Sequence, residues 1–486
     1  MIAAIRPKVD LLSPALLEQV VGEATLILER EGVFFENAEA RQLFRAAGAS
    51  VDEASQRVRI GRRLVEESLA QTPASVVLYD RQGERAFHVG GDEVHFDPGS
   101  AGTRVVDRRT NRERPPVTED LKTLARLADA LPHFHFQSTG LIAADVPPLL
   151  GDSYRVYLAL LYGTKPIVTG TFRVEAFGPM RDMLAAVRGG EDNLRRKPLA
   201  IFDACPSPPL KWSHLTSQSL IDSARAGIPS ELISMGMTGA SSPATIAGTL
   251  VQHVVENLAG LVLCQLAAPG APVIFGGSPS SFDMRKGTTP MGAVETMMID
   301  MAAAQIGKFL RLPTHAYMAL SDAKTPDAQA GYESGIGAVL AALAGVNVVS
   351  GPGMLNYESS ISFEKLVIDD EICGMAYRLV EGIAGREVPL AEHLFRDFNP
   401  ETPFLTLPHT RKWYKLEHRQ STLPDRDTYD AWLAAGGKDL AERAAERAAE
   451  ILDKTPARLP EPGLADELRR IILGDARRNG IASLPA

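Results

Sequence analysis

Val273-Ile274-Phe275-Gly276-Gly277-Ser278-Pro279-Ser280-Ser281-Phe282-Asp283-Met284-Arg285 reads as a short apolar strand that stops at two glycines and opens into a polar loop. A helix-compatible segment, residues 291–309, follows at once. Strand, polar loop and helix form the unit from which α/β enzymes build sites at the carboxyl ends of their strands. About forty residues on, the pattern returns as His315-Ala316-Tyr317-Met318-Ala319-Leu320 running into Ser321-Asp322-Ala323-Lys324.

Working outward, strands are expected at residues 133–138, 166–170, 199–203, 231–235, 272–275, 315–320 and 347–350. Helices are expected at 118–130, 153–162, 175–187, 215–226, 243–266, 292–309, 327–344 and 362–383. Strands alternating with helices imply a parallel sheet, and right-handed crossovers make closure natural. The expectation is α/β, a (β/α)8 TIM barrel over residues 116–400, with seven βα units recognised. The eighth strand is sought at Phe404-Leu405-Thr406-Leu407 or at a misread boundary. An open doubly wound sheet has less support, because no GxGxxG stands at a first strand–helix turn.

Residues 1–115 read as an N-terminal α+β cap. Ser13-Pro14 starts a helix over 15–29, a second helix spans 39–47, and strands are expected at 76–79, 86–89 and 93–96. Residues 401–486 read as a C-terminal helical extension. Its stretch Leu440-Ala441-Glu442-Arg443-Ala444-Ala445-Glu446-Arg447 is a strong helix former whose alanine face suits the barrel wall or a second subunit. A homo-oligomer is expected.

The chain has 486 residues and a net charge of −9, which gives no support to a nucleic-acid partner or an acidic membrane surface. The basic run 104–114 also holds Asp107 and Glu113 and reads as a solvated loop. Three widely separated cysteines, Cys205, Cys264 and Cys373, suggest free thiols and a reducing cytoplasm. No secretory signal is expected in residues 1–8, and the glycine-interrupted apolar stretches are too short to span a bilayer.

Four further segments carry a resemblance. They are Met237-Thr238-Gly239-Ala240-Ser241-Ser242-Pro243-Ala244-Thr245, Phe275 to Arg285 with Thr289-Pro290-Met291, Ser321-Asp322-Ala323-Lys324-Thr325-Pro326-Asp327, and Ser350-Gly351-Pro352-Gly353-Met354-Leu355 with Leu366-Val367-Ile368-Asp369-Asp370-Glu371. Together, in order and at matching spacing, they resemble the trimethylamine methyltransferase superfamily over nearly the whole chain. The resemblance implies a barrel that passes a methyl group from a methylated amine to cobalamin carried by a separate small corrinoid protein. No cofactor would be bound permanently. Founding members of the family carry pyrrolysine, whereas this chain has only the twenty standard residues. It is similar to the branch lacking pyrrolysine, which implies a quaternary amine such as glycine betaine; a tertiary methylamine is the other candidate donor.

A quaternary ammonium donates no N–H bond, so aromatic faces and nearby carboxylates hold it best. Candidate aromatics are Phe172, Phe202, Trp212, Phe275, Tyr317, Tyr357 and Phe363, with Phe96 as a lid over the mouth. Candidate anchors for a substrate carboxylate are Arg173, Arg285 and Lys324. Each has a bland alternative: core packing for the aromatics, and loop pairs with Asp283 and Asp322 for Arg285 and Lys324. Gly276, Gly277, Gly351 and Gly353 suit either the approach of a presented cofactor or tight turns. No metal site is expected: His133 and His135 share a strand face, but no third ligand stands at a recognisable spacing. No Asp-x-His-x-x-Gly is present to supply a corrinoid's lower ligand. Two rival readings remain. One is a Schiff-base barrel lyase using Lys324, against which Asp322 would work. The other is a non-catalytic amine-binding scaffold.

Overall fold

The computed structural model describes residues 3–396, 399–401 and 403–484. Among them, eight parallel strands each lead to a helix. They are β1 (His95–Asp97), β2 (Gln137–Ser138), β3 (Ile167–Gly170), β4 (Ala200–Ala204), β5 (Ser230–Ser234), β6 (Val273–Gly277), β7 (His315–Ala316) and β8 (Val348–Ser350). The helices that follow them are α1 (Thr118–Ala130), α2 (Gly151–Tyr162), α3 (Phe177–Arg188), α4 (His214–Ala226), α5 (Ile246–Ala267), α6 (Val294–Phe309), α7 (Ala328–Ala344) and α8 (Phe363–Val380). Pairing runs in order from β2 to β6, and from β7 through β8 back to β1. Parallel bridges Phe275↔Thr314 and Phe96↔Phe134 join the two runs at both ends. The strand pairs thus return to their start, as a (β/α)8 barrel requires.

The eighth strand is not Phe404-Leu405-Thr406-Leu407, because Phe404–Thr406 forms a 3-10 turn. The missing member is β1, which lies before residue 116. It pairs with β8 in the register Val348↔His95 and Ser350↔Asp97. An inserted hairpin, Arg104–Asp107 with Arg112–Arg114, separates β1 from α1 and masks the strand–helix rhythm at this point.

One end of the barrel is plugged. A second hairpin, Ser75–Tyr79 with Ala86–Gly90, contributes Val76, Leu78, Phe87 and Val89 to a core shared with Phe136, Val168, Ile201, Ile274 and Val348. Helix Pro14–Arg30 starts as its sequence implies, with the Ser13 hydroxyl accepting from the Leu16 N–H and proline in the first turn. Together with helix Arg62–Gln71 it packs on α5, in a core that includes Phe35, Phe44 and Trp212.

Helix α5 is therefore covered on one side by strands and on the other by the cap. That explains its apolar surface all round. It is the one described helix long and apolar enough to cross a membrane, and 78% of its apolar window is buried in the fold. The alanine face of helix Leu440–Lys454 buries Ala444, Ala448 and Ile451 against α8 and α1. Helix Pro462–Arg478 packs on α2 and α3, with the Ser153 hydroxyl donating to Asp475 at 2.6 Å.

Candidate functional site at the barrel mouth

Strand alternation decides which side chains face the axis. On β4, Ile201 joins the axial plug and Asp203, two residues on, shares its side. Asp203 stands level with Glu231 on β5. Glu231 is fully buried, and among the described residues no donor reaches its carboxyl oxygens; the group facing it is the Asp203 carboxyl. His315 Nε2 lies 3.9 Å from Glu231 Oε2. On β1, Asp97 is buried and accepts from the Ser350 hydroxyl at 2.9 Å.

Above this acidic floor opens a cavity of about 420 Å³, lined by Ser100, Thr139, Arg155, Phe172, Asp203, Ile233, Tyr317, Tyr357 and Glu358, among others. Its position at the carboxyl ends of the strands is the usual one for this fold. Arg155 projects from the second turn of α2 and is 4% exposed. Its guanidinium donates to Thr139 O at 3.0 Å and to Asp152 at 3.3 Å, and it lies 4.9 Å from the centre of the Phe172 ring. Tyr317 Oη sits 2.7 Å from the Ser100 hydroxyl.

Tyr357 and Glu358 reach the cavity on a strained turn. Asn356, Tyr357 and Glu358 all have left-handed backbone, with φ of 51°, 55° and 66°. Three consecutive non-glycine residues in that region cost of order 1–3 kcal/mol each. The turn is held from both sides by the antiparallel pair Met354–Leu355 with Ser360–Ile361, and the latter strand pairs in turn with Arg104–Asp107. Such strain is concentrated where side chains must be aimed at a ligand.

The floor is electrostatically loaded. Burial pushes the Asp97, Glu231 and Glu358 carboxyls well above the carboxylate range, and neighbouring Asp203 adds to each shift. Asp203 is pushed up to about 7 by burial, against the pull of a hydrogen bond from Glu231 and the charge of Arg155. A carboxyl raised on folding stabilises the fold fully below its unfolded value near 3.8 and withdraws that stability as pH climbs through about 7. Asp203→Asn is therefore expected to raise the stability of the ligand-free protein by about 2 kcal/mol near pH 8 and to change little near pH 4. Denaturant unfolding at the two pH values measures this.

Of the sequence candidates, the cavity brings together Phe172, Tyr317 and Tyr357. Lys324 stands at the rim, its Nζ 3.9 Å from the centre of the Tyr357 ring and 2.5 Å from Asp322 O. The other strand aromatics occupy positions that alternate with the axial ones. Phe202 meets Phe177 of α3, Phe275 meets His253 of α5, and Phe96 meets Tyr377 of α8, with ring centres 5.3–5.4 Å apart. Phe96 is thus a buried strand residue and not a lid. Trp212 lies in the cap core and donates its indole N–H to Glu256 O at 3.3 Å. Phe363 begins α8 and packs against the main core.

Arg173 donates to Leu149 O, and the Arg285 side chain is 94% exposed, 3.9 Å from Asp283. The space beside the four glycines is taken by the protein itself. A Cβ on Gly276 would meet His315 at 2.7 Å, on Gly277 His253 at 2.3 Å and on Gly351 Met318 O at 2.2 Å; Gly353 needs φ of +85°. His133 Nδ1 donates to the Asp370 carboxylate at 2.9 Å, and His135 Nδ1 lies 2.8 Å from His95 Nδ1. Asp203, Glu231, Glu358 and Arg155 escaped the sequence reading. For the first two a signal existed: acidic residues inside otherwise apolar parallel strands.

A barrel with a plugged base and a small polar–aromatic cavity at its mouth defines a class of enzyme scaffold. The family described as "Trimethylamine methyltransferase (MTTB)" matches residues 1–480. The chain belongs to this family, and it is a methyltransferase. It is 34% identical over 457 residues to "Trimethylamine methyltransferase MttB" of Desulfitobacterium hafniense (strain DSM 10664 / DCB-2), covering 94% of this chain and 92% of the relative. It is 35% identical over 439 residues to "Trimethylamine methyltransferase MttB" of Methanosarcina thermophila, covering 88% and 89%. It is also 34% identical over 452 residues to "Glycine betaine methyltransferase" of Desulfitobacterium hafniense (strain Y51), covering 92% and 93%. In fold it is similar to the solved Methanosarcina barkeri monomethylamine methyltransferase (MtmB), with a TM-score of 0.50 and 11% identity over 92% of this chain and 93% of that one.

Proposed function

We propose that the protein takes a methyl group from a quaternary methylamine that also bears a carboxylate, a betaine, and passes it to the Co(I) corrinoid of a separate small protein. The observation that carries this reading is the pairing, in one cavity, of the Arg155 guanidinium with aromatic rings and acidic side chains. A betaine has the same division: a carboxylate for the arginine, and a trimethylammonium for Tyr317, Tyr357, Asp203 and Glu358. The relative named glycine betaine methyltransferase supports the same substrate class. A neutral amine leaves a quaternary nitrogen without needing a proton, which suits a site whose work is positioning and exclusion of water. At about 420 Å³ the cavity suits a small molecule, so the methyl acceptor is taken as a second substrate presented at the open mouth.

The direct test mixes the protein with a Co(I) corrinoid protein and glycine betaine and follows methyl-cobalamin by absorbance. No methyl-cobalamin with any quaternary amine, despite measurable amine binding, would turn the reading towards a scaffold. Arg155→Gln is expected to weaken glycine betaine binding about 100-fold, the order of a lost buried charge pair. The same change should alter tetramethylammonium affinity less than about threefold, since that ion has no carboxylate. Equal losses for both ligands in a titration would make Arg155 a purely structural residue.

A further inference from the structure

Asp203 sits where the aromatic cavity meets the acidic floor, and its surroundings determine how the site handles charge. Facing it are Glu231 on β5, Asp97 on β1, Glu358 on the strained turn, Tyr317 beyond β7 and Cys205 just past its own strand. The one cation among these neighbours is Arg155, already opposed by Asp152. His315, behind Glu231, is held near 3 by burial and is neutral. Carboxyls gathered in a low-dielectric pocket cannot all ionise, so the empty floor keeps protons.

A methylammonium brings a fixed positive charge and has no proton to give or take. A betaine's own carboxylate is taken up by Arg155, so beside the ammonium itself the matching charge comes from loss of a proton by the floor. Asp203 is placed for this: it lines the cavity, and its Oδ1 is buried with no hydrogen-bond partner among the described residues. Glu231, neutral beneath it, can donate its O–H to the Asp203 carboxylate once that forms. Of the four carboxyls, Asp203 and Glu358 line the cavity, and of these two Asp203 stands level with Glu231 in the strand register; burial pushes Asp203 up to about 7.

We propose that Asp203 is the counter-charge of the bound methylammonium and acquires that charge on binding: it holds a proton in the empty cavity and releases it to solvent as the cation enters. This inference rests on the proposed function. Its consequence follows the bookkeeping of the transfer. The C–N bond breaks, its electron pair stays on nitrogen as the amine's lone pair, and the methyl carbon bonds to the electron pair of the corrinoid acceptor. The positive charge on the ligand nitrogen is then gone, and Asp203 takes a proton back from solvent. The site therefore holds the substrate's quaternary ammonium better than the product's neutral amine.

Titration calorimetry on the full chain, in paired buffers of different ionisation heat, reads the proton count. The probes are glycine betaine and tetramethylammonium, neither of which titrates in this range. Near pH 6, close to one proton should be released per ligand bound, falling towards none above about pH 8. Affinity should weaken about tenfold per pH unit below about 7. In Asp203→Asn both effects should vanish while weaker binding remains. Identical heats in every buffer with pH-independent affinity in the parent protein would overturn the inference and leave the proposed function standing. Failure of both ligands to bind would overturn the functional reading and the inference with it. If the variant does not fold, the parent's proton count decides alone.

Discussion

Replacing Lys365 with methionine is expected to cost about 3–5 kcal/mol of stability, the scale for breaking a buried ion pair by removing one partner. Lys365 is 1% exposed on α8, with Nζ 2.5 Å from Asp369 Oδ2 and 2.7 Å from the Ser334 hydroxyl on α7. Asp369 also accepts from the Gly353 N–H at 2.6 Å, so the pair ties two helices to the loop that follows β8. Burial already pushes the Asp369 carboxyl up, and Lys365 is the charge that opposes this. Methionine fills much of the volume but leaves the Asp369 carboxylate without its cation in a dry site, held only by neutral donors. The double variant Lys365→Met/Asp369→Asn removes that stranded charge and should recover part of the loss. Thermal or denaturant unfolding of the three proteins measures both effects. A single-variant loss under about 1 kcal/mol would mean that water reaches the pair.

Trp212→Ala should cost about 3–5 kcal/mol, the range for truncating a fully buried aromatic, and should leave amine affinity unchanged. The indole stands on strand Lys211–Trp212, level with Phe35 of strand Val33–Phe35, and is fully buried. It packs so closely on α5 that a Cβ on Gly260 would lie 2.6 Å from its ring. The loss is therefore a cavity between the cap and the barrel, away from the mouth. Unfolding curves give the first number and a ligand titration the second. A weakened titration with unchanged stability would put Trp212 back among the ligand contacts.

Much of the barrel was legible because β3 to β6 and their helices alternate without interruption, and period-two and period-3.6 patterns survive in such units. Where an insertion broke the rhythm, legibility ended. His95-Phe96-Asp97 reads as an isolated strand of a cap, since the hairpin after it delays α1 by twenty residues. The aromatics show a second limit. Phe202 and Phe275 are strand residues as expected, yet each lies one position off the axial register, facing helices. A strand's period says that alternate residues share a face but not which face looks inward.

The run that opens with Val273 shows both sides of this division. Composition and periodicity were enough for its strand, its glycine stop and the repeated unit, and the resemblance of its neighbouring motifs pointed to the family. Tertiary structure alone decided that Gly276 and Gly277 make room for His315 and His253, and that Arg285 points into solvent. It also brought Arg155, Asp203 and Glu358, more than two hundred residues apart at the extremes, into one cavity. The physical reason is range: local sequence governs hydrogen-bonded elements a few residues long, whereas a site is assembled by closure of the barrel, which sums contacts no segment contains.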